Sequence, residues 1–193
     1  MTWKPEADEI KRRHEYAVAL GGRESVERHH QQRRLTIRER IGALLDDGSF
    51  QEVGKLTGTG SYDASGALQS VTPAPYVMGL GKIEGRPIAI GGEDFTIRGG
   101  TSWGSQRRKG GQGGFVEDLA YHYRIPLINL IDGAGGTVTS AKKRGFSVFP
   151  GIHGFERSVE LLGIVPVVSA VMGTAAGGPA GRAILSHLSL IHI

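Results

Sequence analysis

The sequence predicts an α/β fold: a sheet with parallel strands, functional turns on one of its edges, and a helical arm in front. Three observations predict it. An apolar run, Pro126–Ile131, ends abruptly in Asp132-Gly133-Ala134-Gly135-Gly136. The arrangement returns where Val167–Met172 leads into Gly173-Thr174-Ala175-Ala176-Gly177-Gly178. Helical periodicity over Phe155–Leu162 separates the two runs, which makes them a βαβ crossover with parallel strands and a right-handed connection. Both glycine clusters then lie at the carboxyl ends of neighbouring strands, where open α/β sheets bind ligands.

The elements follow in order. Ala7–Leu20 reads as a helix stopped by Gly21-Gly22, and a second helix starts near Ser25. Thr36-Ile37-Arg38-Glu39 is a capping box, in which hydroxyl and carboxylate satisfy early amides reciprocally. Behind it Ile37, Ile41, Leu44 and Leu45 share one helical face, up to Gly48. Residues 1–50 are therefore a helical arm whose apolar stripe is destined for a neighbouring surface. From Gln51 to Pro75 the chain reads as loop, with Gly-Thr-Gly and Asp-Ala-Ser-Gly turn signals. Tyr76–Ile83 and Arg86–Ile90 are strands joined by the two-residue connection Glu84-Gly85, and Pro87 sets the second near its start or at an edge. Gly114–Arg124 is a helix with Phe115, Val116, Leu119, Ala120 and Tyr123 on its stripe. Pro126–Ile131 and Val165–Met172 are buried strands, and Gly178–Ser186 is a further helix.

Composition narrows the function classes. The chain has 193 residues, enough for one core and short of two full domains. Its 31 glycines fall in clusters between periodic segments, which points to backbone-lined turns. With no cysteine there are no disulfides, thiolate nucleophiles or thiolate metal sites, and a reducing, cytoplasmic location fits. No apolar run approaches a membrane span, and no membrane partner is expected. The net charge of +4 raises the question of nucleic acid. The bases of Lys11–Arg40 are interleaved with Glu9, Glu15, Glu24, Glu27 and Glu39, as on a solvated helical face, so no nucleic-acid partner is expected. Arg107-Arg108-Lys109 is denser and suits a phosphate, which coenzyme A and RNA carry alike.

The glycine clusters expose backbone N–H groups, which suit an anion or a carbonyl oxygen gaining charge. A dinucleotide fingerprint fails, because Val138 stands where its third glycine belongs. A P-loop lacks its Gly-Lys-Ser or Gly-Lys-Thr. Two readings remain open: an oxyanion hole for a thioester enolate, and plain strand-to-helix turns. Side-chain catalysts are poorly supplied. Ser140, Ser147 and Ser169 have no nucleophile elbow. His29 and His30 read as solvated, His153 sits on a loop, and Glu93-Asp94 reads as stabilising a turn more than as an acid/base pair.

Several segments together resemble one family. Leu35-Thr36-Ile37-Arg38-Glu39-Arg40-Ile41, Leu44-Leu45-Asp46 and Gly48-Ser49-Phe50 resemble the N-terminal signature of carboxyltransferase (beta) subunits of biotin-dependent acyl-CoA carboxylases. So do Asp94-Phe95-Thr96 with Gly99-Gly100-Thr101, Asp132–Thr137 at the place of the family's Asp-Ser-Gly-Gly-Ala-Arg, and Met172-Gly173 with Ala176-Gly177-Gly178. The resemblance implies a crotonase-like ββα-type fold, present here as the N-terminal half only. It also implies transfer of a carboxyl group from carboxybiotin to the α-carbon of an acyl-CoA. The amides of Gly135 and Gly136 would steady the thioester enolate. Gly99, Gly100, Thr101, Ser102, Ala134, Gly177 and Gly178 would contact the acyl-CoA. Biotin would arrive on a separate carrier domain or subunit, its departing nitrogen acting as base, with a biotin carboxylase/biotin carrier subunit as partner and a homo-oligomer at full length. A crotonase-type hydratase, isomerase or decarboxylase and a noncatalytic CoA-binding fragment are the alternatives.

The departures are local. Gly133 and Ala134 replace the family's Ser and first Gly, and Thr137 its Arg, while Gln106–Gly111 replaces an acidic, helical continuation; these changes bear on the choice of acyl chain. Residues 51–187 are expected to be the carboxyltransferase half-domain. The apolar Leu188–Ile193 does not continue the family pattern and equals one reading frame of a common transposase sequencing adapter. It is expected to be a non-native tail on a truncated fragment, inactive alone.

Overall fold

In the computed structural model, the described residues are 2–101, 116–136, 142, 145 and 155–191. Three helices open the chain: α1 (Lys4–Val18), α2 (Arg23–Gln31) and α3 (Ile37–Leu44). The capping box forms in full: the Thr36 side chain accepts from the Glu39 amide, and the Glu39 carboxylate accepts from the Thr36 amide at 2.7 Å. Strands β1 (Gln51–Glu52), β4 (Tyr76–Ile83), β5 (Arg86–Glu93), β6 (Leu127–Gly133), β7 (Val167–Ala175) and β8 (Leu188–Ile191) build one six-stranded sheet, ordered β1-β4-β5-β6-β7-β8. β1, β4 and β5 pair antiparallel, whereas β5, β6, β7 and β8 pair parallel. Helix α4 (Val116–Tyr123) precedes β6, α5 (Glu156–Leu162) joins β6 to β7, and α6 (Gly178–Ile184) joins β7 to β8.

Alternation along the strands divides the core into two layers. Tyr76, Met78, Ala89 and Leu127 face α4 and α5, where Val116, Ala120 and Leu161 meet them. Val77, Ile88, Ile90 and Leu130 face the arm, where Leu20, Ile37, Ile41 and Leu45 cover them. Each of the buried Val, Leu, Ile and Met side chains among them contributes about 1.5–3 kcal/mol before entropy is counted. The surface that receives the arm is thus the chain's own sheet. Leu44, expected on the buried stripe, is 40% exposed because the helix ends there and Leu45 turns inward in its place. Tyr123 is likewise exposed, one turn beyond the part of α4 that touches the sheet.

One expectation about strands needs correction. Within 51–75, read as loop, β2 (Gly58–Tyr62) and β3 (Leu68–Pro73) form a separate antiparallel hairpin. Its turn is the expected Asp63–Gly66 stretch, where the Asp63 carboxylate accepts from the amides of Ser65 and Ala67, both at 2.9 Å. Both strands are polar and largely solvated, with Leu68 the buried exception, so the apolar alternation that betrays a strand is missing. Pro87 is the second residue of β5, near its start as expected; the strand lies between β4 and β6, and the proline is accommodated because pairing with β6 begins only at Ala89. The Glu84-Gly85 connection is as expected, with both residues at positive φ, as a tight two-residue hairpin needs. None of the described helices is long and apolar enough to cross a membrane.

Candidate functional site

β6 and β7 pair in parallel, Leu127 opposite Val167, so both glycine turns emerge at the same edge. The ladder is regular to Ile131 opposite Val171 and resumes at Gly133 opposite Ala175. One residue of β6, Asp132, therefore faces three of β7: Met172, Gly173 and Thr174. This bulge leads into the second turn, where the Ala176 amide donates to Gly133 O at 3.1 Å. Gly135 has φ +73°, and a Cβ there would lie 2.6 Å from Ala176 O. The two turns touch through backbone that only glycine permits.

A third segment closes on them. After β5 the chain makes a one-turn 3-10 helix, Arg98–Gly100, whose Gly99 O accepts the Ala134 amide at 2.9 Å. A Cβ on Gly100 would lie 2.8 Å from Asp132 O. Of the expected site residues, Gly99, Gly100, Thr101, Ala134, Gly135, Gly136, Gly177 and Gly178 are thus carried on three converging segments, while Ser102 lies outside the described residues. Their chemistry differs. The Ala134 amide is already committed to Gly99, and the Thr101 hydroxyl donates to Arg98 O. The amides of Gly135 and Gly136 donate to no other described residue, and Gly136 is exposed. Gly177 is the N-cap of α6, at φ +59°.

Beneath the turns lie four buried charged residues, Arg40, Glu93, Asp132 and Arg182. Asp132 is fully buried; its Oδ2 accepts from Arg40 Nη2 at 2.8 Å and its Oδ1 from the Thr174 amide at 3.0 Å. Glu93, equally buried, is bound by Arg182 and also accepts the Asp132 amide at 3.3 Å. Arg40 was expected on a solvated face. It points inward, as does Arg38, which binds Glu52 through both nitrogens at 2.8 and 2.9 Å. Arg13–Glu9, Arg23–Glu27 and Arg28–Glu24 are one-turn surface pairs of the expected kind. A signal for the inward pair was present: Arg40 shares the inward face of α3 with Ile37 and Ile41, as Arg182 shares that of α6 with Pro179 and Ala183.

The remaining candidates resolve one by one. Asp94 stabilises a turn, accepting from the Thr96 hydroxyl at 2.6 Å and amide at 3.0 Å. Burial pushes its carboxyl up from the ordinary range, against the pull of those two bonds and of Arg38. Glu93 serves in an ion pair. His29 is buried, a correction to the solvated reading; its Nε2 lies 3.2 Å from Leu35 O, and burial lowers its pKa. His30 stays at the surface against Glu39. Ser169 is fully buried between Asn129 and Arg182. Arg107–Lys109, Thr137, Ser140, Ser147 and His153 lie outside the described residues.

Against known proteins, the model of the carboxyl transferase domain matches residues 28–192. The propionyl-CoA carboxylase carboxyltransferase subunit of Haloferax mediterranei is 32% identical over 181 residues, covering 92% of this chain and 33% of that protein. The propionyl-CoA carboxylase beta chain of Cereibacter sphaeroides is 33% identical over 173 residues, covering 88% and 32%. Two structures of the transcarboxylase 12S core superpose with TM-scores of 0.73 and 0.74 at 25% and 26% identity, over 99% and 98% of this chain and 36% of theirs. The chain spans about a third of the length of these relatives. Its fold is crotonase-like, and since the match runs from α2 through β8 and takes in both glycine turns, the chain belongs to the carboxyl transferase domain family.

Proposed function

We propose that this chain forms the acyl-CoA half of a biotin-dependent acyl-CoA carboxyltransferase, with the amides of Gly135 and Gly136 as the oxyanion hole. The observation that carries the reading is the first glycine turn, pinned on both sides by backbone and left with two amides uncommitted among the described residues. An acyl-CoA would lie across the turn with its thioester oxygen at those amides. As the α-carbon gives up a proton, the electron pair moves onto that oxygen. Fixed N–H dipoles stabilise the charge without having to reorganise, and one such donor is worth about 2.7–4 kcal/mol in the transition state. Gly177 and Gly178, at the start of α6, would wall the neighbouring side, and Gly99 and Gly100 would border the coenzyme. Carboxybiotin, carried on a separate domain or subunit, supplies the carboxyl carbon and a ureido nitrogen to take the proton.

The ion pairs support this reading over a hydratase or isomerase that works with a side-chain base. At these strand ends the buried carboxylates Glu93 and Asp132 are each held by an arginine. A base supplied from outside the chain suits such a site. The relatives named for propionyl-CoA and the transcarboxylase core described with methylmalonyl-CoA make a short acyl-CoA the first substrate to test. That core is described as a hexamer, and a homo-oligomer with a biotin-bearing partner is proposed for the full-length protein.

The test is the thioester carbonyl stretch of 13C-labelled propionyl-CoA bound to the chain. A shift to lower frequency is expected, and Gly136→Pro, which removes one amide, should abolish most of it while free CoA still binds. In the full-length enzyme the same change should lower kcat by about 100- to 1000-fold. An unshifted carbonyl in the bound wild-type complex overturns the assignment.

A further inference from the structure

We propose that Asp132 is a positioning residue: its carboxylate, neutralised by Arg40 of the helical arm, holds the β7 bulge and so sets the second glycine turn against the first. The inference rests on the oxyanion reading for its consequence, though not for its geometry. A bulge with three residues against one leaves backbone groups that the ladder cannot pair. Thr174 is in that position, and its amide finds the Asp132 Oδ1 at 3.0 Å. The carboxylate thus stands in for a strand carbonyl. It also needs Gly173 opposite, since a Cβ there would overlap the carboxylate.

What lies downstream depends on this contact. Two residues past Thr174, the Ala176 amide reaches Gly133 O and Ala176 O packs on Gly135. Any rotation of the bulge therefore moves the surface against which Gly135 keeps its left-handed conformation. Asp132 does not touch the thioester in this arrangement; it acts through backbone. Its side chain is fully buried, and the charge is met by Arg40 Nη2 at 2.8 Å, with Arg34 Nη1 at 3.9 Å from Oδ1. The arm thereby reaches the site across the sheet face it covers. A carboxylate serves here because it accepts from an arginine and a bulge amide at once.

Two double variants separate positioning from plain stability. Arg40→Met with Asp132→Asn removes both charges and keeps an acceptor for Thr174; Arg40→Met with Asp132→Ala removes the acceptor too. Amide exchange and 15N–1H spectra of the chain are compared first, without ligand. In the alanine variant the Thr174 amide should exchange about tenfold faster or more, and the Gly135 and Gly136 signals should move. In the asparagine variant all three should stay near wild type. With labelled propionyl-CoA, the asparagine variant should keep the carbonyl shift and the alanine variant should lose it, both binding free CoA alike. Equal spectra and equal carbonyl shifts in the two variants overturn the proposal. If the alanine variant does not fold, Arg40→Met with Asp132→Leu, which fills the space and offers no acceptor to Thr174, decides: moved Gly135 and Gly136 signals support it, unmoved ones overturn it. Wild type that binds without a carbonyl shift would refute the oxyanion reading alone, because the ligand-free spectra still decide whether Asp132 sets the turn.

Discussion

The two glycine turns share composition and sheet edge, yet they differ in what dictates their shape. Gly135 is buried between backbone segments, where a Cβ would lie 2.6 Å from Ala176 O. Gly177 is exposed, and a Cβ there meets nothing closer than Gly135 Cα at 3.5 Å. Both have positive φ, +73° and +59°. In the first turn glycine is required by close approach as well as by conformation, in the second by conformation alone. A glycine-rich turn marks a backbone-lined site only where something presses on the missing side chain. That criterion sets Gly133–Gly136, pressed by backbone at Gly135, apart from Ala175–Gly178, and it accords with the role proposed for the first turn.

The ion pair that serves both turns should show the largest effect. Glu93 lies under the first turn, where a Cβ on Gly133 would come 2.7 Å from Glu93 Cγ, and Arg182 reaches it from the helix that follows the second. Arg182→Met takes the cation from a buried carboxylate and should cost about 3–5 kcal/mol in urea unfolding. A loss under 1 kcal/mol would show that the turns do not share this support. Next come the glycines themselves. Gly135→Ala combines left-handed strain with overlap on a backbone oxygen, and about 3 kcal/mol is expected; Gly177→Ala carries the strain alone, about 1–2 kcal/mol. Equal costs, measured side by side, would erase the distinction between the turns.

The same contrast explains what was legible in the sequence. Strands β4 to β7 announce themselves as apolar runs bounded by turn residues, and the glycine turns stand out because a backbone-lined site must be built of such residues. The hairpin β2–β3 was hidden, because two solvated strands leave no apolar alternation. The supports of the site were hidden for another reason. Arg40 meets Asp132 across 92 residues and Arg182 meets Glu93 across 89, and no local pattern encodes a partner at that distance. Each arginine shows only as a cation on an otherwise apolar helix face. His29 was misread likewise: its charged neighbours on α2 suggest solvent, but the ring tilts toward Phe95, with centroids 6.0 Å apart.

The smallest effect belongs to the first turn alone. Asp94 holds the turn after β5 through Thr96, and that turn presents Gly99 O to the Ala134 amide. Burial raises its carboxyl pKa, so folding disfavours the charged form relative to the unfolded chain. The sign follows: the carboxyl's contribution is full below the unfolded value of roughly 3.9 and is lost as pH rises through the higher folded one. At neutral pH the buried charge is therefore a cost. Asp94→Asn removes the charge and keeps an oxygen to accept from the Thr96 amide and hydroxyl. A rise in Tm of about 2–4 °C is expected at pH 7, shrinking to nothing as the pH is lowered to about 3.5. A gain that persists at low pH would mean that packing, and not the charge, limits this turn; a loss at pH 7 would mean that Arg38 depends on the Asp94 charge more than burial opposes it.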